Sequence, residues 1–235
     1  MAGRFLGLWL LIGSLNLLGL GSALADEDRN LETILSNLKE RFTLAKTFQA
    51  DYVRDLIPKI SSNLPSSSLQ AEGRISFGSP NKLRMDQKKP RVEQLICNGE
   101  KVWWYLPEEK VVNVYRLKDY ALQIKPIIDF LSGLGGLEKN FTVRLDRTPP
   151  EEAPFYQLIL KPKNPQPDLQ LIRVRLSKTT FLPLEFTFEN LMGDGTRFRF
   201  SRVQTGVPLA GSWFEFIPPE GTQVVSQALP VLPKK

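Results

Sequence analysis

Apolar and polar side chains alternate in short runs along most of the chain, and a period of two residues predicts β-strands. Turns rich in Gly, Pro and Asn separate these runs, which favours antiparallel neighbours. We therefore predict about ten or eleven antiparallel strands. The apolar positions that define them are Phe48, Ala50, Tyr52; Leu69, Ala71, Gly73, Ile75, Phe77; Leu83, Met85; the run 92–115; Phe141, Val143, Leu145; Tyr156, Leu158, Leu160; Ile172, Val174, Leu176; Leu182, Leu184, Phe186, Phe188; Phe198, Phe200; and finally Trp213–Phe216 and Val224-Val225.

The strongest turn signal lies within residues 92–115, where Asn98-Gly99 separates two apolar runs. Asn and Gly tolerate the positive φ angles of a type I′ turn, so we predict a two-residue loop that sets Leu95 opposite Val102. Large apolar side chains fall on both faces of this hairpin, with a tryptophan on each. Because a sheet with one solvated face alternates more cleanly, either other material covers the second face or the sheet curves around an apolar space.

Two segments depart from the β pattern. Leu31–Phe42 has apolar residues at helical spacing, and Asp28 or Asn30 is suited to cap such a helix. Lys118–Leu137 is apolar with few charges, and Pro126 and several glycines divide it, which predicts short helices. A large sheet that curls without closing leaves a concave face, and these two segments are the only helical material available to cover it. The second segment is therefore either a lid or ordinary core.

The N-terminus has the pattern of a signal peptide. Arg4 precedes the uncharged, mostly apolar run Phe5–Gly21, and Ala23-Leu24-Ala25 is a small-x-small cleavage site. An uncleaved membrane anchor is the alternative because the apolar run approaches spanning length, but the acidic residues from Asp26 onward favour cleavage. We therefore predict a cleaved signal peptide at 1–25, one domain at 26–227 and a loose tail at 228–235.

Composition excludes several kinds of chemistry. The 235 residues contain no histidine, which removes Ser-His-Asp and Cys-His nucleophile systems and imidazole metal sites. Cys97 is the single cysteine, so no intramolecular disulfide can form, and we expect a buried, inert thiol. A hydrolase that uses a pair of carboxylates is not excluded, because the chain has many Asp and Glu residues, although the sequence singles out no two of them.

The net charge of the chain is +6, and the charged residues are scattered along it. This permits a weak preference for anionic surfaces and gives no argument for nucleic-acid binding. We predict a protein without catalytic activity, metal or cofactor.

Five short motifs, in order, resemble the LolA family of periplasmic outer-membrane lipoprotein carriers. They span nearly the whole chain after the predicted signal peptide. The Asn-Gly-x-x-Val-Trp-x-Tyr-x-Pro hairpin is the most specific of them. The motifs are Thr47–Tyr52 (TFQADY), Ser79–Met85 (SPNKLRM), Cys97–Pro107 (CNGEKVWWYLP), Leu160–Lys163 (LKPK) and Phe214–Gly221 (FEFIPPEG).

The resemblance implies a fold and a function. The expected fold is mainly β, an unclosed antiparallel half-barrel of about 11 strands around a hydrophobic cavity, with helices roofing the concave face. The expected protein is a soluble, monomeric periplasmic carrier. It takes acylated lipoproteins from an inner-membrane ABC-type release complex and passes them to an outer-membrane LolB-like acceptor. The alternatives are an RseB-like lipoprotein-sensing module and a carrier of another lipid.

The same resemblance, combined with the predicted strand faces, selects site residues. The expected acyl-chain lining is Phe48, Tyr52, Ile75, Phe77, Leu83, Met85, Trp104, Phe186, Phe188 and Phe198, and the expected lid is Ile127, Ile128, Phe130 and Leu131. One departure from the family pattern stands out. Ser79 occupies the position before the proline where well-known members have an arginine that holds the empty lid closed. Arg74 and Arg84 are nearby cations, but adjacency along a strand does not place them in the cavity.

Overall fold

The computed structural model describes residues 18–59, 69–118, 127–128, 131, 137–164 and 169–226, and the side chains from Asn30 onward. Within these residues twelve strands form one sheet in the order β12-β6-β5-β4-β3-β2-β1-β11-β10-β9-β8-β7. The strands are β1 (Thr47–Ile57), β2 (Gln70–Gly78), β3 (Lys82–Lys89), β4 (Glu93–Cys97), β5 (Lys101–Leu106), β6 (Val111–Arg116), β7 (Phe141–Asp146), β8 (Phe155–Pro162), β9 (Leu171–Ser177), β10 (Pro183–Glu189), β11 (Gly195–Thr205) and β12 (Gln223–Ser226). Because β12 and β7 lie at opposite edges and do not pair, the sheet is unclosed, as predicted.

The N-terminal helix α1 (Leu18–Ala45) is longer than the predicted segment. Asp28 and Asn30 lie inside it, so the prediction that one of them caps the helix is wrong. The helix ends at Ala45, and the next residue, Lys46, has a φ of 52° that turns the chain into β1. The predicted apolar face is correct: its side chains pack on the sheet, and the described members are Leu31, Ile34, Leu35, Leu38 and Phe42.

The hairpin predicted between β4 and β5 forms, but its register differs by two residues. Leu95 pairs with Trp104, and Cys97 pairs with Val102. The turn is centred on Gly99 and Glu100, and of these two only Gly99 has a positive φ, at 101°. Because a shift of two residues keeps every side chain on its predicted side, the predicted faces of the hairpin are correct.

Two predictions for the C-terminal part need correction. The segment predicted as a strand at Trp213–Phe216 begins instead with a 3-10 helix at Gly211–Phe214. The strand at Val224-Val225 exists as β12, but it pairs in parallel with β6, whereas the other pairs of neighbouring strands in the described sheet are antiparallel. The prediction of an entirely antiparallel sheet is therefore wrong at this edge.

The helical insertion predicted at 118–137 is described only in part. Ile127, Ile128 and Leu131 have helical backbone, and a short helix α2 spans Leu137–Asn140. The three isolated residues are buried in the same apolar cluster as the inner faces of β1 to β3. The insertion thus contributes side chains to the inner face of the sheet.

The outer face of the sheet is held by ion pairs. Asp55 accepts hydrogen bonds from Arg197 and Arg199 on the neighbouring strand β11. Asp51 pairs with Arg74 and Arg202 in the same way. Polar residues therefore occupy the side of β1 that faces away from α1.

Candidate functional site

The inner face of the sheet gathers all ten of the predicted lining residues into one apolar cluster. Eight are at most 8% exposed: Phe48, Tyr52, Ile75, Phe77, Leu83, Met85, Phe186 and Phe198. Trp104 and Phe188 are half-buried and pack against the cluster. The period-two alternation thus identified a contiguous surface and not merely a set of separate buried positions.

The pairing of β1, β2 and β3 explains how the first part of this surface forms. Phe48 pairs with Phe77, and Phe77 pairs in turn with Leu83. Ile75 pairs with Met85 in the next row of the same face. Directly opposed side chains on one face of a sheet lie in contact range, so these residues build a continuous apolar wall.

Aromatic rings build the second part of the surface, and Phe200 on β11 lies at its centre. The centroid of the Phe200 ring is 5.0 Å from that of Phe186 and 5.8 Å from that of Phe48. Phe198 extends the group to Tyr52, at 5.8 Å. Phe200 was not in the predicted set, although its alternation with Phe198 carried the signal. Edge-to-face packing of such rings adds to the stabilisation that burial provides.

Two segments roof this surface. From α1, Ile34, Leu38 and Phe42 are at most 6% exposed, and the Phe42 ring lies 6.3 Å from that of Phe48. These helix residues were predicted as core and not as part of the site. The predicted lid residues Ile127, Ile128 and Leu131 are at most 2% exposed in the same cluster, and Phe130 lies outside the described residues.

A few polar groups lie on the inner face beside the apolar surface. Trp104 donates a hydrogen bond from its indole nitrogen to Glu93, at 3.2 Å. Burial raises the pKa of Tyr52 above its ordinary value against the opposing effect of the Arg54 charge, so its hydroxyl stays protonated at neutral pH. Burial likewise raises the pKa of Cys97, which is fully buried and donates to the carbonyl of Asn81. The predicted buried, unreactive thiol is consistent with this environment.

Arg74 and Arg84, the cations near the family's arginine position, point away from the inner face. Arg74 is bound by Asp51, and Arg84 donates to Asp86 at 2.9 Å while stacking 4.7 Å over the Trp213 ring. Neither arginine is free to reach the lid from the outer face.

A cavity of about 400 Å³ lies at the end of β7 and the start of β8. Its walls include Asn30 of α1, Asp146, Tyr156 and Lys178. Asp146 is occupied by hydrogen bonds from Thr148 and Gln157, so its carboxylate is part of the local structure.

In the described part of the chain, no group of three or more Cys, Asp or Glu side chains is placed to hold a metal ion. The described helices include none with both the length and the apolar character of a membrane span.

A family model described as outer membrane lipoprotein carrier protein LolA matches residues 44–217. The chain belongs to the LolA family. This confirms the resemblance drawn from the five motifs.

Two relatives named outer-membrane lipoprotein carrier protein are similar to this chain over most of their length. One, from Methylococcus capsulatus, is 30% identical over 80% of this chain and 86% of its own. The other, from Nitrosomonas europaea, is 29% identical over 81% of this chain and 88% of its own.

A solved structure supports the fold of this LolA-family chain. It is an uncharacterized conserved protein from Thermus thermophilus, with a TM-score of 0.53 and 14% sequence identity. The match covers 84% of this chain and 99% of that one. At 14% identity this structural similarity supports the fold and gives no information about a ligand.

Proposed function

We propose that this LolA-family chain carries the acyl chains of lipoproteins through the periplasm, from the inner to the outer membrane. The observation that carries the proposal is the continuous apolar inner face, roofed by α1 and by Ile127, Ile128 and Leu131. The ten predicted lining residues, from Phe48 to Phe198, would contact the acyl chains. The names of the relatives from Methylococcus capsulatus and Nitrosomonas europaea support lipoproteins as cargo.

The energetics of transfer explain why such a surface is needed. A lipoprotein anchor has on the order of 40 methylene groups, and each costs about 0.8 kcal/mol to expose to water. The total, on the order of 30 kcal/mol, makes free diffusion between two membranes negligible. A carrier must therefore provide an apolar surface, and it must also open to release the cargo. A roof made of separate segments, with the adaptable side chain of Met85 beneath it, suits both requirements.

The compartment follows from the predicted signal peptide at residues 1–25. Cleavage after Ala25 would leave every described roof residue of α1, from Leu31 to Phe42, in the mature chain. The proposed partners are an inner-membrane ABC-type release complex and a LolB-like outer-membrane acceptor, and the carrier acts as a monomer without catalysing a reaction.

Release of lipoproteins from spheroplasts tests the proposal. Purified protein is added to spheroplasts that contain a labelled lipoprotein, and the label in the soluble fraction is measured. Ile128→Asp places a charge in the roof and should abolish release. The matched control Leu44→Asp places the same charge on α1 at a side chain that is 76% exposed, and should release normally.

Circular dichroism checks the fold of both variants, and Leu131→Ser serves as a milder roof variant if Ile128→Asp does not fold. Release by a folded roof variant at the level of the unchanged protein would refute the acyl-chain surface. Absence of release by the unchanged protein, with a known carrier active in parallel, would refute lipoprotein carriage itself.

A further inference from the structure

Arg54 is a cation near the end of β1, on the inner face of the sheet. Its Nε atom is buried and has no hydrogen-bond partner, and no ion pair of Arg54 occurs in the part of the chain that the structure describes. Alternation along β1 places it on the same side as Phe48 and Tyr52, because Asp51 and Asp55 bind partners on the outer face. A guanidinium nitrogen withdrawn from water without a partner is unfavourable, so the position favours an anion that the described residues do not supply.

The surroundings of Arg54 combine this charge with an apolar wall. On the adjacent strands it pairs with Phe198 and Ala71, which are 6% and 0% exposed. Tyr52, two residues earlier, is 2% exposed. A cation and a protonated phenol therefore lie directly beside the aromatic part of the inner face.

The nearby carboxylates are engaged with other groups. Asp55 binds Arg197 and Arg199 on the outer face. Glu93, on the inner face of β4, accepts from the Trp104 indole and pairs with Arg91 at 3.3 Å. These contacts leave Arg54 as a cation whose charge is not balanced by a contact within the described residues.

We propose that Arg54 binds the anionic head group of an amphiphile whose acyl chain lies against Tyr52 and Phe198. This inference rests on the proposed function, because it requires the inner face to accept acyl chains. It goes further in naming a ligand class: acyl chains that end in a carboxylate or a phosphate, for which guanidinium is the preferred partner. The chain would then carry an anionic lipid as well as, or bound with, its lipoprotein cargo.

Displacement of a fluorescent apolar probe from the purified, delipidated protein tests the head-group preference. Three competitors share a sixteen-carbon chain: palmitate, hexadecyl phosphate and methyl palmitate, which has no charge. A charge-assisted contact with Arg54 should make at least one anionic competitor bind about tenfold or more tightly than the methyl ester. Preference for palmitate alone identifies a carboxylate, preference for hexadecyl phosphate alone identifies a phosphate, and preference for both identifies the shared charge.

Variants assign the preference to this residue. Arg54→Met should remove the preference for anions while leaving methyl palmitate binding unchanged, and Arg54→Lys should retain part of it. Arg199→Met removes one positive charge from the outer face, and it should leave the preference intact.

Each contrary result has a distinct meaning. Equal binding of all three competitors to the unchanged protein would overturn the inference and leave the carrier proposal standing. A preference that survives in Arg54→Met, or that disappears equally in Arg199→Met, would also overturn it. If neither the probe nor any competitor binds, the acyl-chain surface itself fails, and the proposed function fails with it.

Discussion

Among the glycines that the structure describes, Gly73 on β2 has the closest backbone neighbours. A Cβ atom at this position would lie 2.2 Å from the carbonyl oxygen of Asp86 and 2.8 Å from the Cα of Gln87. The β2–β3 register also shifts at this point, between Glu72 and Gly73. Glycine in a strand interior often marks such a close approach of two backbones.

Gly73→Ala should therefore destabilise the protein by about 2 kcal/mol or more, because backbone atoms must move to admit the methyl group. Urea unfolding followed by circular dichroism measures the change. Gly211→Ala is the matched control, since the nearest atom to its added methyl is Lys82 Nζ at 4.0 Å. It should change the free energy of unfolding by no more than about 0.5 kcal/mol. Equal effects of the two substitutions would contradict the close approach at Gly73.

The ionisation of Asp55 makes the stability of the folded protein depend on pH. Burial acts to raise its pKa, but hydrogen bonds from Gln70 and Arg197 and the charge of Arg199 outweigh burial and lower it below the ordinary value. A carboxylate whose pKa is lowered on folding stabilises the folded state above its unfolded pKa, which is about 4. That contribution is lost as the pH falls through the lower, folded-state pKa.

Asp55→Asn should accordingly lower the urea midpoint at pH 7, and its deficit should shrink as the pH falls below about 4. Urea titrations of both proteins between about pH 7 and about pH 2.5 follow the difference. A deficit that stays constant over this range would mean that the asparagine acts through packing and not through lost charge.

At the scale of elements, the sequence predicted the faces of helices and strands better than their ends and registers. The apolar face of α1 and the inner faces of β1 to β3 were correct because each depends only on a local period. The β4–β5 register was wrong because Asn98 precedes the turn instead of lying at its first central position. The Oδ1 atom of Asn98 accepts from the backbone nitrogens of Glu100 and Lys101, at 3.0 and 2.9 Å. Nothing in the dipeptide Asn-Gly distinguishes these two uses of asparagine.

For the candidate site, too, the sequence predicted the faces of the strands but not the contacts between distant elements. All ten predicted lining residues lie on the inner face, as the alternation predicted, whereas the sequence analysis did not place Arg54 on that face. Phe200 and the α1 residues Ile34 and Leu38 were read as ordinary strand and core positions. That they join the same cluster is a consequence of tertiary packing, which no local period contains.

The role of α1 as a roof predicts a contrast between two leucines of the same helix. Leu38 is fully buried against the sheet, and Leu44 is 76% exposed. Leu38→Ala should lower the free energy of unfolding by about 2 to 5 kcal/mol, and Leu44→Ala should change it by less than about 0.5 kcal/mol. Chemical denaturation measures both. Comparable losses would show that α1 does not depend on its inner face for attachment.

For the whole molecule, the signal peptide remains a prediction with a direct test. When the full chain is expressed in a Gram-negative host, protein released by osmotic shock should begin at Asp26. N-terminal sequencing and intact mass determine this. Ala25→Arg disrupts the small-x-small site and should leave a longer, membrane-associated chain. Full-length protein that stays with the membranes without any substitution would support the uncleaved anchor instead.

The position of β1 in the sheet has a consequence for how the chain is made. The first strand in sequence lies in the middle of the sheet, between β2 and β11, and Phe48 pairs across to Thr205. A chain emerging N-terminus first can form the β1-to-β6 meander early, but one edge of β1 stays unsatisfied until almost the entire polypeptide has appeared. Contacts so distant in sequence slow folding and prolong the exposure of an unpaired edge. The nascent chain thus passes through a stage at which this edge of β1 can pair with other chains, and molecular chaperones that bind unfolded proteins should protect it during that stage.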